Sequence, residues 1–447
     1  MKIYIDSPYS ILSLEVNDNV SALDGLKRDL TVTIKKFTGM GKPQLDRVCL
    51  IMPNLAFRTG LLTRIRRLAP LHGLAISEEI DRRAMPKIDK SLSGKKVDLR
   101  DYQEEAVTKM LQYDMGVLCA ATGSGKTHMA ANMIAKRAVP TLFLVHTKEL
   151  LYQTQKRFTE LLGMKIGAIG DGVFEPEPIT VATIQTLYSQ GVNPGIKPQM
   201  VIVDETHHLP ADMFFTVTSL YPVRYMYGLS ATPYRLDGAD LMIEAGAGPI
   251  IVSISVSDLI KRKILCKPVI RFIPIGTETS YSKAPKHYVV RKHIVNNEQR
   301  NNIIAVETKK CADKGQSVLI AVNWTEHAKQ IEIKLKALEV DCEILEGKSP
   351  TYVRQRILKE LQSKKLKVII STIMKEGVDV PSLDVVINAA GGSDSMQLIG
   401  RALRKSDGKE TATIIDFVDN QHITLLQASK NRMKRCQAEP EFLVIAA

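Results

Sequence analysis

The chain has 447 residues, 45% of them hydrophobic, which is more than one core usually organises, so two to four domains are expected. Its 61 Lys and Arg against 48 Asp and Glu give a formal charge of +13, which favours a polyanionic partner, nucleic acid first, over an acidic protein. Six scattered cysteines without a Cys-x-x-Cys pair speak against a zinc ribbon or a disulfide framework; no apolar run reaches bilayer length or forms a signal peptide, so a cytoplasmic protein without a membrane partner is expected.

Residues 1–95 read as a small α+β accessory domain. Strand-like runs at 2–5, 11–16, 30–34 and 47–52 precede a helical pattern over 57–68. There Leu61, Leu62, Ile65 and Leu68 share one face, and Arg58, Arg64, Arg66 and Arg67 lie largely off it, as a duplex-binding face or as a solvated helix surface. The polar, basic stretch 85–96, broken by Pro86 and Gly94, has the composition of an interdomain linker. Beyond it, apolar runs at 116–120, 141–145, 179–182, 200–203, 317–322, 367–371, 385–388 and 413–417 alternate with helical patterns. That alternation predicts parallel α/β sheets covered by helices. Two arrays parted near 238–248 divide the chain into 1–95, 96–243 and 244–447.

The stretch Ala120–Thr127 joins an apolar strand to a helical pattern through Thr122, Gly123, Ser124 and Gly125. A glycine-rich turn of this kind points backbone N–H groups at a polyphosphate, and Lys126 is placed to reach the β and γ oxygens. The Thr127 hydroxyl is placed to take Mg²⁺. A nucleoside triphosphate is therefore the expected ligand. Asp204 and Glu205 close a second apolar run, at the strand end where a parallel sheet forms its ligand crevice. Asp204 suits the Mg²⁺ shell and Glu205 the polarising of an attacking water. His207 and His208 lack a third ligand at zinc spacing.

From residue 99 to about 419 the chain resembles superfamily 2 helicases and DNA translocases. The motifs stand in family order: Leu99–Ala106, Ala121–Thr127, Leu144–Leu151, Val181–Leu187, Asp204–His208, Leu229–Gly238, Ser371–Pro381 and Gln397–Arg404. Ala120 departs from the general phosphate-loop pattern, and Thr206 replaces the Ala of the commoner Asp-Glu-Ala-His box. The resemblance implies two tandem RecA-like lobes with parallel sheets. It implies that Gln103 reads adenine with Arg100 and Tyr102 bracing the base, although Gln103 also suits a helix cap. Ser230, Ala231 and Thr232 would couple the nucleotide cleft to the nucleic-acid track, and Gly377 and Asp379 would face the ribose.

Gln397, Arg401 and Arg404 fall near one helical face at i, i+4 and i+7. By resemblance the two guanidiniums meet the charge on the transferring phosphoryl group, a contribution of about 10³–10⁵ in rate where it has been measured. Thr147, Lys148, Thr183, Gln185, Asn323 and Thr372 would line the nucleic-acid side, holding backbone without reading sequence. Trp324, the single Trp, suits base stacking or half-buried packing. Basic runs at 283–293 and 430–435 suit phosphate contacts or a solvated face.

The function expected is an ATP- and Mg²⁺-dependent DNA motor, monomeric, tracking 3′ to 5′. Within the superfamily the chain looks most like phage UvsW-type helicases and their RecG- and XPB-like relatives, which remodel forked and branched DNA; a phage origin would place it in the host cytoplasm. The accessory domain would then grip duplex or junction, and its deletion is expected to spare basal ATP turnover. An RNA helicase, a restriction motor and a nucleotide-gated clamp that anneals strands are the alternatives. Residues 1–95 show no clear nuclease pattern, which counts against the restriction motor.

Overall fold

A computed structural model of the chain describes residues 1–16, 18–36, 44–190, 195–206, 211–231, 240–373, 383–392, 396–405 and 408–446. The accessory region contains β1 (Lys2–Ile5), β2 (Tyr9–Ser13), α1 (Val20–Asp29), β3 (Thr31–Lys36), β4 (Gln44–Cys49), β5 (Ala56–Arg58), α2 (Leu62–Leu71) and β6 (Glu78–Asp81). Its sheet runs β5-β2-β1-β6, and β3 and β4 form an antiparallel pair. Helix α1, capped by the Asn19 side chain on Ser21 N, was not expected from sequence.

The first lobe follows as α3 (Asp101–Met110), β7 (Met115–Ala120), α4 (Lys126–Arg137), β8 (Thr141–Val145), α5 (Lys148–Leu162), β9 (Gly167–Gly170), β10 (Val173–Glu175), β11 (Ile179–Thr183), α6 (Ile184–Gln190), β12 (Met200–Val203), α7 (Ala211–Ser219), β13 (Tyr225–Ser230), α8 (Asp240–Ala247) and β14 (Ile250–Ile254). Its sheet order is β10-β9-β11-β8-β12-β13-β7-β14, parallel throughout except for the antiparallel edge strand β10. Strands β8, β11, β12 and β13 are buried along their whole length, as a sheet covered by helices on both faces demands.

The second lobe holds α9 (Val256–Lys261), β15 (Lys267–Ile275), α10 (Lys286–Val290) running into a π-helical turn (Arg291–Val295), α11 (Glu298–Asp313), β16 (Val318–Ala321), α12 (Thr325–Ala337), β17 (Cys342–Leu345), α13 (Thr351–Gln362), β18 (Val368–Ser371), β19 (Val385–Asn388), α14 (Met396–Ala402), β20 (Thr411–Asp419), α15 (Ile423–Gln437) and β21 (Leu443–Ala446). All neighbours in its sheet, β17-β18-β16-β19-β20-β15-β21, are parallel. The expected α/β class with two parallel sheets is the one observed.

Two boundaries differ from expectation. The chain divides into two compact units, residues 1–121 with 125–254, and 122–124 with 255–447. Strand β14 lies past the expected limit at 243 yet pairs with β7, so the first sheet closes at Ile254. The expected linker is laid against the first lobe instead of spanning free space. Asp89 N donates to Ala138 O at 2.7 Å, Lys95 N to Leu162 O at 2.8 Å, and Leu92 is buried in the lobe's core.

The accessory region accordingly belongs to the first unit. Ile65 and Ala69 of α2 share a core with Met242 and Ala245 of α8. A Cβ on Gly60 would stand 2.2 Å from Glu244 O, so only glycine lets these backbones meet. Two of the four arginines read as a duplex-binding face or a solvated surface are taken up here. Arg58 is 8% exposed, stacks against Tyr9 and Phe215 and donates to Phe215 O at 2.9 Å; Arg64 Nε donates to both Glu244 oxygens at 3.0 and 2.9 Å. Arg66 pairs with Glu79, and Arg67 is exposed.

Candidate nucleotide site and nucleic-acid edge

The turn between β7 and α4 takes its shape from its glycines: Gly123 and Gly125 have φ of 88° and 85°, where a side chain is strained. Helix α4 begins at Lys126, so the first helical N–H groups sit beside Lys126 and Thr127. Lys126 Nζ donates to Ala120 O at 3.1 Å and stands 3.5 Å from Glu205 Oε1. The predicted lysine and the predicted water-polarising acid are thus brought together.

Asp204 ends β12 and is anchored through its N–H to Leu144 O at 2.9 Å, while its Oδ1 accepts Glu205 N at 3.0 Å. Burial first, then the neighbouring Glu205 charge, push the Asp204 carboxyl up to about 7 against the opposing pull of Lys126. A carboxyl whose charge is disfavoured by desolvation and by a neighbouring acid has the donor chemistry that a divalent cation satisfies, which fits Mg²⁺ held by Asp204 and Thr127. Glu205 occupies left-handed backbone, φ 48°, which a non-glycine residue adopts only when its surroundings hold it there.

Gln103 is 6% exposed at the third position of α3. Its Oε1 accepts Arg100 N at 2.9 Å, the capping role, and its Nε2 donates to Tyr102 OH at 3.3 Å. A Cβ on Gly125 would lie 2.3 Å from that Nε2, so the carboxamide abuts the phosphate loop. Both sequence readings of Gln103 remain on one side chain. Arg100 is exposed and Tyr102 is buried.

The track candidates gather at the carboxyl edge of each sheet. In the first lobe, Thr147 and Lys148 follow β8, Thr183 closes its neighbour β11 and Gln185 lies in the first turn of α6, with Val145 paired to Thr183. Gln185 Nε2 donates to His146 O at 2.7 Å, tying the two loops. Lys148 is largely exposed. Thr147 Oγ1 caps α5 through Leu150 N, and Thr183 is buried with its hydroxyl on Thr186, so these hydroxyls are engaged within the lobe. In the second lobe Asn323 and Trp324 follow β16 and Thr372 follows the adjacent β18. Trp324 is 44% exposed at the N-cap of α12, which leaves a ring face open to stacking as well as a half-buried one to packing.

Ser230 ends β13, and together with Thr206 it lines a cavity of about 510 Å³ shared with Thr63, Arg64 and Arg67 of the accessory region. Ala231 is half-buried. Thr232, Gly377, Asp379, His207 and His208 lie outside the described residues.

One expectation is corrected outright. Helix α14 ends at Ala402, so Arg404 does not share a helical face with Gln397 and Arg401. Arg404 instead forms a β-bridge with Leu265, and burial pushes its guanidinium pKa down. Arg401 is half-buried in the last turn of α14. Lys409, whose Nζ donates to Ala402 O and Arg404 O, and the buried Arg300 escaped sequence reading because an isolated basic residue carries no motif, while Arg432, read within the basic run 430–435 as a phosphate contact or solvated charge, is instead buried on Asp416.

Residues 96–235 match the family described as type III restriction enzyme, res subunit, and residues 297–406 match the helicase conserved C-terminal domain. The DNA 3′-5′ translocase XPB2 of Sulfurisphaera tokodaii is 28% identical over 381 residues, covering 76% of this chain and 86% of that protein. The putative ATP-dependent RNA helicase L396 of Acanthamoeba polyphaga mimivirus is 28% identical over 334 residues, covering 71% of this chain and 62% of its own length. Among solved structures, the fragment of a putative HsdR subunit of a type I restriction enzyme from Vibrio vulnificus YJ016 has a TM-score of 0.59 at 17% identity, covering 93% of this chain and 92% of that one. That likeness is one of fold.

Proposed function

We infer that this superfamily 2 helicase, XPB-like in sequence, is an ATP-driven DNA translocase that remodels forked or branched DNA, moving 3′ to 5′ as a monomer. The observation that carries the nucleotide half of this reading is the 3.5 Å approach of Lys126 Nζ to Glu205 Oε1 beside the half-buried Asp204 that ends β12. The DNA half is supported by the relation to XPB2, whose name gives its polarity and polymer.

The loop N–H groups of Gly123, Ser124, Gly125 and Lys126 bind the polyphosphate, and Gln103, Tyr102 and Arg100 border the base. When bound, Mg²⁺ supplies Lewis-acid charge to the phosphoryl oxygens, with Thr127 and Asp204 as its protein ligands. Lys126 neutralises γ-phosphate charge, and Glu205 accepts a hydrogen bond from the attacking water and orients it. Arg401 and Arg404 stabilise charge on the transferring group, and Gln397 is assigned to the same cleft by its motif. Gly377 and Asp379 are assigned to the ribose. Ser230, Ala231 and Thr232 relay phosphate loss to the edge where Thr147, Lys148, Thr183, Gln185, Asn323, Trp324 and Thr372 hold the strand.

ATP turnover measured with synthetic forks, four-way junctions, single strands, duplex and RNA tests the reading. Stimulation greatest with forks or junctions is expected. A second reading, an RNA helicase, is favoured by the relation to L396, and stimulation by RNA above every DNA would establish it in place of the first.

A further inference from the structure

Among its described residues the second lobe buries three cations that none of the helicase motifs contains, and each donates to main-chain carbonyls between Leu383 and Arg404. Arg300 of α11 is fully buried; its Nε pairs with Asp419 at 2.8 Å, and its Nη1 donates to Ala389 O at 2.9 Å. Arg432 of α15 is 1% exposed; it grips both Asp416 oxygens, with Nε to Oδ2 at 3.0 Å and Nη2 to Oδ1 at 2.9 Å, and donates Nη1 to Gly392 O. Between them Asn323 Nδ2 donates to Ala390 O at 3.4 Å. The segment that follows β19 is therefore pinned at 389, 390 and 392. Beyond the helix, Lys409 is 9% exposed, and its Nζ donates to the carbonyls of Leu383 and Ala402 and to Arg404 O at 3.2 Å.

Burying arginine or lysine away from water is costly unless each charge is paired or fully hydrogen-bonded. A helix only seven residues long needs none of this to pack, since Leu398, Ile399 and Ala402 already anchor it to the sheet. What apolar contacts leave loose is sliding and rotation of the segment about its own axis. Directional bonds to backbone carbonyls at both ends remove that freedom. Lys409 has no carboxylate within ion-pair distance among the described contacts, and burial pushes its ammonium pKa down; its partners are carbonyls, two of them on the Arg401–Arg404 stretch itself.

We propose that Lys409 and Arg432 are positioning residues for ATP hydrolysis, fixing the backbone that presents Arg401 and Arg404 from its two ends. The inference rests on the reading of those two arginines as charge donors to the phosphoryl group. Asn323, assigned to the nucleic-acid edge, bonds the same turn, so the frame also gives bound strand a direct mechanical route to α14.

The test is single-turnover and steady-state ATP hydrolysis by the full chain carrying Lys409→Met, Arg432→Lys or Arg401→Ala, each with saturating forked DNA, alongside binding of ADP and of ADP with aluminium fluoride. Met fills the volume of Lys409 without its donors, and Lys keeps the charge of Arg432 without its second and third bonds. An ångström of misplacement is expected to cost about 10²-fold in kcat with KM for ATP within about twofold. ADP affinity should hold while ADP–aluminium fluoride affinity falls by a similar factor. If Lys409→Met and Arg432→Lys fold with kcat near normal while Arg401→Ala is slow, the frame is refuted and the arginine role stands. If Arg401→Ala also turns over normally, the reading beneath it fails. Losses of kcat, ADP affinity and folded fraction in equal proportion would show a merely structural role, and should Lys409→Met not fold, Arg432→Lys decides.

Discussion

At the scale of single residues, Lys126 and Glu205 touch yet should fail differently. Lys126→Ala removes the cation proposed to face the phosphates and is expected to abolish measurable ATP affinity, whereas Glu205→Gln should bind ATP and lower kcat by at least about 10²-fold. Fluorescent-nucleotide binding beside phosphate release separates them, and near-normal turnover in both would remove the site. These acids and the lysine were legible because each stands in a fixed motif. Hydrogen-bond partners were not: Gln103 serves as a cap, Thr183 is bonded to Thr186, and Arg58 and Arg64 are consumed by Phe215 and Glu244, since sequence gives residue type but not what lies across the fold. A buried histidine gives a pH prediction of the same kind. His327 is fully buried with Nε2 on Asn301 at 2.9 Å, and burial first, then the Arg300 charge, hold its pKa down at about 3 from 6.5. The unfolded chain therefore takes up a proton that the fold refuses between those values, so stability is full above about pH 6.5 and falls toward 3 by about 1.4 kcal/mol per unit. Urea unfolding at pH 7 and pH 5 should show wild type losing about 2 kcal/mol more than His327→Gln; equal losses would disprove the assignment.

At the scale of elements, strands buried on both faces were read almost to the residue. Observed β8, β12 and β19 coincide with the apolar runs at 141–145, 200–203 and 385–388, because a covered parallel strand must be apolar throughout. Strand β15 went unread: Pro268 and Pro274 and the alternation of buried with half-exposed positions obscure it, although it lies inside the second sheet between β20 and β21. Helix α14 was read too long because its period continues through Arg404, while tertiary pairing with Leu265 takes that residue into a β-bridge. The element with the largest consequence is α8, which follows the Ser230–Ala231 motif and carries the accessory region on its surface. Gly60→Ala would drive a methyl into the Glu244 and Ala245 carbonyls and is expected to destabilise the first unit by about 1–3 kcal/mol. Unfolding followed by tyrosine fluorescence would read it, and an unchanged midpoint would mean that α2 and α8 are not in rigid contact.

At the scale of the whole molecule, the shared core overturns the expectation that residues 1–95 can be removed without effect on basal turnover. Deletion strips the cover from Met242, Ala245, Leu241 and Phe215 and leaves Glu244 without Arg64. The shortened chain should therefore be less stable and slower in ATP hydrolysis before any DNA is added. The proposal that the accessory region grips DNA is better probed by charge reversal at exposed Arg67, which lines the 510 Å³ cavity together with Thr206 and Ser230. With a formal charge of +13, the full chain should bind junctions mainly through phosphates, and affinity should fall steeply between 50 and 200 mM salt, by about 10³-fold or more if six or more contacts are made. Arg67→Glu should reduce the slope of log affinity against log salt by roughly one or two contacts while leaving DNA-free turnover unchanged. A slope identical to wild type would confine the accessory region to its role on α8 and move the junction contacts to the sheet edges.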